Sequence, residues 1–210
     1  MRRRIFALGL VATLVSTSAL AQGQASAPAN AGNSQAGEFI LKLAERAVTG
    51  LTKPGVTAEE RDQRFRDLFH EGFDVPAIAR FALGRYWRMA NEEERREYLK
   101  LFEELIVQTY AHRFTSYSGE RLRVVTTRAA SDGEHVVTTE VIRNAGAPIK
   151  VDWRVFKKDS SFKIYDIVVE GVSMSITQRD DFSALIQRQG GKVAGLNAAL
   201  RDKIAQTKTN

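Results

Sequence analysis

The chain has 210 residues, no cysteine and a formal net charge of +6 at neutral pH. Without cysteine it can form neither a disulfide nor a thiolate metal site, so its stability must come from packing. Three of the positive charges are Arg2, Arg3 and Arg4, which leaves an excess of +3 that argues against a nucleic-acid-binding protein.

The first 21 residues have the pattern of a cleavable secretory signal. The three arginines precede an uninterrupted apolar run from Ile5 to Val15, and Ala19-Leu20-Ala21 has small residues where a signal peptidase requires them. A membrane anchor is the alternative, but it needs about 20 apolar residues, and this run ends before that length. We therefore expect export with cleavage after Ala21.

The next segments predict a leader and three helices. Residues 22–37 are rich in small and polar residues and contain no large apolar one, which is typical of a flexible leader. Apolar residues at helical spacing from Ile40 to Leu51 then predict a helix. A capping box of Thr57 and Glu60 opens a second helix, and Asp74-Val-Pro76 starts a short third one.

The rest of the chain predicts a long helix, a sheet and two further helices. Asn91 and Glu94 form a capping box before a helix whose apolar side runs from Tyr98 to Tyr117. The period then changes to two, which predicts strands over 122–128, 135–143, 149–157 and 162–169. Helices are expected from about Gln178 to Gln187 and after Gly190-Gly191. The fold class is α+β, a twisted antiparallel four-stranded sheet packed by N- and C-terminal helices in one domain, 38–206.

The fourth strand is apolar on both sides if it is straight. Phe162, Ile164 and Val168 then share one side, and Tyr165, Ile167 and Val169 share the other. Such a strand should be buried. Glu170-Gly171 breaks the pattern, and small residues connect the strand to a helix that starts near Thr177.

The sequence contains few residues with obvious catalytic chemistry. The three histidines are not spaced as a metal pair, and Ser173 lacks the second glycine of a nucleophile elbow, so no metal or other cofactor is predicted. Asp166 lies in the buried strand, where it is either a general base or, as we favour, a carboxylate that pairs with an arginine or caps a loop.

Three segments of the chain carry a family resemblance: Leu83-Gly-Arg-Tyr-Trp87, the helix segment from Tyr98 to Tyr110, and Tyr165 to Ser173 with the following Arg179 and Phe182. Together they resemble the MlaC family. Members are soluble periplasmic phospholipid carriers, also called toluene-tolerance auxiliary proteins, and the hopanoid-associated HpnM proteins are relatives. The resemblance covers about Glu38 to Lys203. The chain departs from many members at Phe162, where they have Trp, and at Thr177-Gln-Arg179, where they have Asn-Tyr-Arg.

The resemblance implies a periplasmic carrier with a deep apolar cavity between sheet and helices. It also implies exchange of phospholipid with the MCE-domain subunit of an inner-membrane ABC transporter and with an outer-membrane lipoprotein–porin complex. No cofactor or nucleic acid is implied, and we expect a monomer. Hopanoid or another apolar lipid is the alternative cargo, and an enzyme with Asp166 as base or an envelope adaptor without a cavity is the alternative class.

Candidate residues for such a cavity come from the apolar positions of the predicted helices and sheet. The candidate lining residues are Phe73, Ile78, Phe81, Tyr86, Trp87, Phe102, Ile106, Tyr110, Trp153, Tyr165, Val168, Val172 and Met174. Any one of them could instead belong to an ordinary filled core. Arg85, Arg88 and Arg179 are the candidates for contact with a lipid head group.

The signal segment leads to a direct test. We expect the mature protein in the envelope fraction to begin at Gln22, because Ala19 and Ala21 satisfy the small-residue requirement of the peptidase. Intact-mass measurement of the purified protein checks this. A mass that includes Met1 to Ala21 would contradict the prediction.

Overall fold

The computed structural model describes residues 34–130 and 133–209. The predicted signal and residues 22–33 of the predicted leader lie outside these ranges. The described helices and strands follow in chain order: α1 (Gln35–Leu51), α2 (Ala58–Gly72), α3 (Val75–Leu83), α4 (Tyr86–Met89), α5 (Glu92–Ala111), a 3₁₀ helix (His112–Ser116), β1 (Arg121–Ala129), β2 (Glu134–Ile142), β3 (Ile149–Lys158), β4 (Ser161–Val169), β5 (Val172–Ser173), α6 (Met174–Arg188) and α7 (Val193–Thr209).

The strands form one antiparallel sheet in the order β1-β2-β3-β4-β5. The α+β class and the antiparallel meander are thereby confirmed, but the predicted count of four strands is wrong. Glu170 and Gly171 both have positive φ angles, 48° and 83°. Two such residues make the type of tight turn that reverses a strand, so Val172 and Ser173 pair back onto β4.

The ends of several helices depend on capping side chains. Capping boxes at Thr57 and Asn91 are both present, as predicted. Ser34 accepts a hydrogen bond from the Gly37 amide, so α1 begins at Gln35, within the predicted leader. Ser173 likewise caps α6, which therefore begins before the predicted start near Thr177.

The long helix predicted from Asn91 ends before the apolar pattern that predicted it. It ends at Ala111, and the chain continues as the 3₁₀ helix. Phe114 lies in that 3₁₀ helix and Tyr117 follows it, so neither extends the face of α5. Periodicity alone did not reveal this change, because a 3₁₀ turn has nearly the same spacing.

A bulge in β4 changes which residues share a face. Val155 pairs with Ile164 while Arg154 pairs with Asp166, so Tyr165 is the extra residue. Ile167 therefore lies on the same face as Ile164, opposite Trp153. The prediction that Val168 shares a face with Phe162 and Ile164 is wrong, since Val168 and Asp166 lie on the other face.

Two hydrophobic clusters form the described core. The helical cluster contains buried residues of α2 to α7, and the sheet cluster contains Ala36 and Ile40 of α1 with Val137, Val155, Phe162 and Ile164. Among the described residues, Phe73 alone packs against both clusters. The backbone joins them at the same place, because the Asp74 amide donates to the Ile164 carbonyl at 3.0 Å.

Tyr98 anchors the helical cluster. Its side chain is fully buried, and its hydroxyl donates to the Ala79 carbonyl at 2.8 Å. Burial raises the pKa of Tyr98 well above its usual value, so the hydroxyl keeps its proton. The ring of Phe182 meets the Tyr98 and Phe102 rings edge-on at 6.0 and 6.3 Å, which connects α5 with α6.

Removing the Tyr98 hydroxyl should weaken the connection between α3 and α5. We expect Tyr98→Phe to lower the free energy of unfolding by about 1–2 kcal/mol, because a buried hydrogen bond is lost. Tyr117→Phe is the matched control, since that hydroxyl donates to the Glu120 carbonyl in a less buried position. Denaturant titration measures both, and an equal loss in the two variants would contradict the role given to Tyr98.

Candidate functional site

The predicted lining residues do not surround one space. Tyr86 and Phe102 are buried within the helical cluster. Phe81 and Trp87 line an open groove on the outside of that cluster, and Val172 is 54% exposed. These positions correct the prediction for Val172, which lies on the surface rather than at an interior outlet.

Two further predicted residues lie on the outward face of the sheet, and the bulge moves one of them, Val168, to this face. The Tyr165 hydroxyl donates to the Glu134 carboxylate at 3.1 Å. Burial raises the pKa of Tyr165, and the hydrogen bond to Glu134 raises it further. Val168 is buried on this face, where it pairs with Asp152 and Ser173. Neither residue belongs to the two clusters.

The remaining predicted residues lie around the boundary of the clusters or beside them. Ile78 and Ile106 pack against the helical cluster, Trp153 packs against the sheet cluster, and Phe73 packs against both. Met174 opens α6 and is half-buried, while Tyr110 lies under the guanidinium of Arg113 at 5.0 Å.

A row of phenylalanines leads to this boundary, and the sequence analysis identified only one of its members. Phe114, Phe65, Phe69 and Phe73 follow one another with ring centroids 6.3, 6.2 and 5.0 Å apart. We call these four residues the aromatic row. All but Phe69 are only half-buried. Phe65, Phe69 and Phe73 are spaced four residues apart along α2 and its C-terminal cap, and this spacing was the signal that could have revealed them.

The walls near the aromatic row are apolar and incompletely covered. Leu43 packs against the sheet cluster and lies beside Gly72, where an added Cβ would be 2.5 Å from the Leu43 Cδ2 atom. Ala47 lies one turn further along α1 and is half-buried, as is Val48. These side chains therefore leave part of the apolar face of α1 uncovered by the described residues.

One polar atom on α5 is buried without a partner among the described residues. The Gln108 side chain is 8% exposed and its amide donates to Glu104 at 2.7 Å, but its Oε1 atom accepts no hydrogen bond. The neighbouring Val107 and Ala111 are fully buried, yet neither belongs to a cluster. The Gln108 Oε1 atom is therefore a buried acceptor that the described residues leave unsatisfied.

The three head-group candidates lie together in a second place. Arg85, Arg88 and Arg179 line an open groove of about 530 Å³ with five other residues: Ala77, Arg80, Phe81, Gly84 and Trp87. We call it the arginine groove. It lies where α3, α4 and α6 meet, and it contains no carboxylate among its lining residues.

Contacts with aromatic rings hold these arginines in place. The Arg179 guanidinium lies 5.0 Å from the Phe81 ring centre, and Arg80 lies 5.8 Å from that of Trp87. Arg85 donates to the Tyr86 hydroxyl at 3.0 Å, which lowers the pKa of that phenol. Aromatic side chains therefore position Arg80, Arg85 and Arg179, and the charges of Arg80 and Arg85 stay available to an anion.

Asp166 has the structural role that the sequence analysis favoured. Its carboxylate is 5% exposed and accepts from the Ser173 hydroxyl at 2.7 Å, the Ser175 amide at 3.0 Å and Arg154 at 3.3 Å. These donors belong to β5, α6 and β3, so the carboxylate joins three elements. Such bonding disfavours a role as general base, because donors from the protein itself already occupy both carboxylate oxygens.

Two further observations concern the described residues as a set. They contain no group of three or more His, Asp and Glu side chains arranged to hold a metal ion. No helix among them has both the length and the apolar character needed to cross a bilayer. The two best-defined pockets are open to solvent, so the deep cavity implied by the resemblance stays a prediction.

Comparison with known proteins gives consistent results. The family model described as the MlaC protein matches residues 42–202. The chain is 31% identical over 112 residues to the intermembrane phospholipid transport system binding protein MlaC of Haemophilus influenzae, covering 51% of this chain and 52% of that protein. It is 24% identical over 106 residues to toluene tolerance protein ttg2D of Pseudomonas putida, covering 50% and 49%. The chain thus spans about half the length of these curated relatives.

A solved structure is similar over a larger part of the fold. It is the phospholipid-binding protein of Ralstonia solanacearum in complex with a phospholipid, with a TM-score of 0.73 and 26% identity. The superposition covers 81% of this chain and 97% of that chain.

Replacing Asp166 tests whether its carboxylate has a structural or a catalytic role. We expect Asp166→Asn to lower the free energy of unfolding by about 2–3 kcal/mol, because hydrogen bonds to a buried charge are weakened. Asp180→Asn is the control, since that side chain is 69% exposed and should change stability by less than about 0.5 kcal/mol. A variant as stable as the wild type that had lost a chemical turnover of lipid would instead favour the enzyme hypothesis.

Proposed function

Because the chain belongs to the MlaC family, we propose that it is a periplasmic carrier that binds phospholipid acyl chains and moves lipid between the inner and outer membranes. The observation that carries the proposal is the divided core, with a row of mostly half-buried phenylalanines that leads to Phe73, where its two clusters meet. The relatives' names and the phospholipid in the similar structure support the choice of cargo.

We place the acyl chains along the aromatic row. A lipid carrier must cover its cargo, because transfer of two chains of about 16 carbons into water costs roughly 25 kcal/mol at about 0.8 kcal/mol per CH₂. Half-buried Phe65 and Phe114 offer apolar surface that the protein itself leaves uncovered. Leu43 and Ala47 of α1 form the opposite wall of the proposed site.

The proposed cavity opens by separation of the helical cluster from the sheet. A phospholipid needs a volume at or beyond the upper end of the usual range of about 300–1,000 Å³. The joint near Phe73 would act as the hinge, because Asp74 is bonded to Ile164 and also pairs with Lys158 at 3.2 Å.

The proposed cycle includes two exchange partners. They are the MCE-domain subunit of an inner-membrane ABC transporter and an outer-membrane lipoprotein–porin complex. A hopanoid is the alternative cargo, since an apolar row without specific polar contacts accepts any lipid of suitable shape. We further propose that the protein carries lipid without catalysing a reaction, in keeping with the saturated bonding of Asp166.

Organic extraction of the purified protein, followed by mass spectrometry, tests the carrier function. We expect phospholipid at about one molecule per chain, and delipidated protein should take up lipid from vesicles. Extraction of a hopanoid instead would identify the alternative cargo. A protein without extractable lipid that also fails to accept it from vesicles would exclude the carrier function.

A blocking substitution tests the location of the acyl chains. We expect Ala47→Trp to reduce bound lipid at least about tenfold with little change in melting temperature, because the indole should enter space that is otherwise available to lipid. In a filled core the same change would cost about 1–3 kcal/mol or more. Ala82→Trp is the control, since Ala82 is buried in the helical cluster and should destabilise the protein. Unchanged lipid content in Ala47→Trp would contradict the proposed site.

A further inference from the structure

The arginine groove is a concentrated positive surface on a chain with only a small excess of charge. The side chains of Arg80, Arg85 and Arg88 are exposed, and none of them has a carboxylate partner among the described residues. Arg179 differs, because it lies 3.6 Å from Asp180. The groove therefore presents at least three uncompensated cations to solvent.

Exposed apolar side chains border the same groove. Phe81 is 43% exposed and lies in its wall. Ile176 is 42% exposed and precedes Arg179 by three residues on α6, so their side chains are neighbours on one helix face. Val172 is 54% exposed and lies directly before the residue that caps this helix. Few large apolar residues of the described chain are this exposed, and these three lie in the groove or on the segment that leads to Arg179.

We propose that the arginine groove and its apolar border dock the protein on the surface of an anionic phospholipid bilayer. Arginines would contact the lipid phosphates, while Phe81, Ile176 and Val172 would enter the boundary between head groups and acyl chains. This inference rests on the proposed carrier function and adds the surface through which the carrier meets a membrane. An acidic protein surface would satisfy the cations but would leave the exposed aliphatic side chains without a suitable environment.

The docking surface is separate from the proposed acyl-chain site. The groove lies on the outside of α3, α4 and α6, whereas the aromatic row lies on α2 and the 3₁₀ helix. Substitution of Arg80, which is not among the head-group candidates, should therefore leave bound lipid unchanged. This separation allows docking and carriage to be measured independently in the same variants.

Charge neutralisation tests the electrostatic part. The probes are vesicles of phosphatidylcholine alone and vesicles that also contain phosphatidylglycerol, and the measurement is co-sedimentation of purified protein. One basic residue near an anionic surface contributes about 1 kcal/mol, so Arg80→Gln with Arg88→Gln should weaken binding to anionic vesicles about 30-fold. The wild type should bind neutral vesicles weakly, and raised salt should remove most of the difference.

A matched pair of arginines serves as the control. Arg121 and Arg128 of β1 are exposed and have no carboxylate partner among the described residues. Arg121→Gln with Arg128→Gln removes the same net charge and should weaken vesicle binding less than about threefold, because these residues lie away from the groove. An equal loss in the two double variants would show that net charge alone attracts the protein, and would overturn the proposed docking surface.

Removal of the apolar border tests insertion. Phe81→Ser with Ile176→Ser should abolish the part of vesicle binding that survives in high salt, since that part depends on apolar contact. Val125→Ser is the control, because Val125 is 39% exposed on the edge strand β1. Salt-resistant binding that is unchanged in the Phe81 and Ile176 variant would overturn the insertion of these residues.

The results also separate this proposal from the carrier function. Wild-type protein that binds anionic vesicles but holds no lipid would contradict carriage and leave docking supported. Protein that holds lipid but binds acidic polypeptide rather than vesicles would contradict membrane docking and leave carriage supported. Bound lipid that falls together with vesicle binding in the single variant Arg80→Gln would contradict the separation of the two sites.

Discussion

The joint between the end of α2 and β4 is the contact on which the two halves of the molecule depend. Phe73 packs against both hydrophobic clusters, and the Asp74 amide is bonded to the Ile164 carbonyl directly beside it. Gly72 lets α1 approach the same point, because a larger residue would collide with Leu43. The described clusters share no other packed residue.

The bulge at Tyr165 keeps ionic groups away from that boundary. It places Ile164 and Ile167 on the face that meets α1, and it directs Asp166 to the outward face, where Arg154 and the start of α6 satisfy it. A charged carboxylate on the inward face would be costly beside an apolar ligand. The same irregularity therefore keeps the inner face apolar and secures the C-terminal helices.

The helical cluster lies between an apolar surface, the aromatic row, and a positively charged surface, the arginine groove. The aromatic row offers apolar area that gains stability when water is removed, whereas the arginine groove offers cations that remain hydrated until an anion approaches. Phe69 belongs to the row and to the buried cluster, while Phe81 and Trp87 lie on its outer side. Carriage and docking can thus occur on one protein without competing for the same residues.

The sequence by itself determined the elements that depend on neighbouring residues: the caps at Thr57 and Asn91, the α+β class and the antiparallel meander. Tertiary structure alone decided the bulge at Tyr165, because the register of a strand depends on its partner. It also decided that Phe102 is buried while Phe65 stays half-buried. Both residues follow helical periodicity. The packing of α6 and α7 against α5 covers Phe102, whereas Phe65 on α2 stays at the boundary, because burial depends on residues distant in the chain.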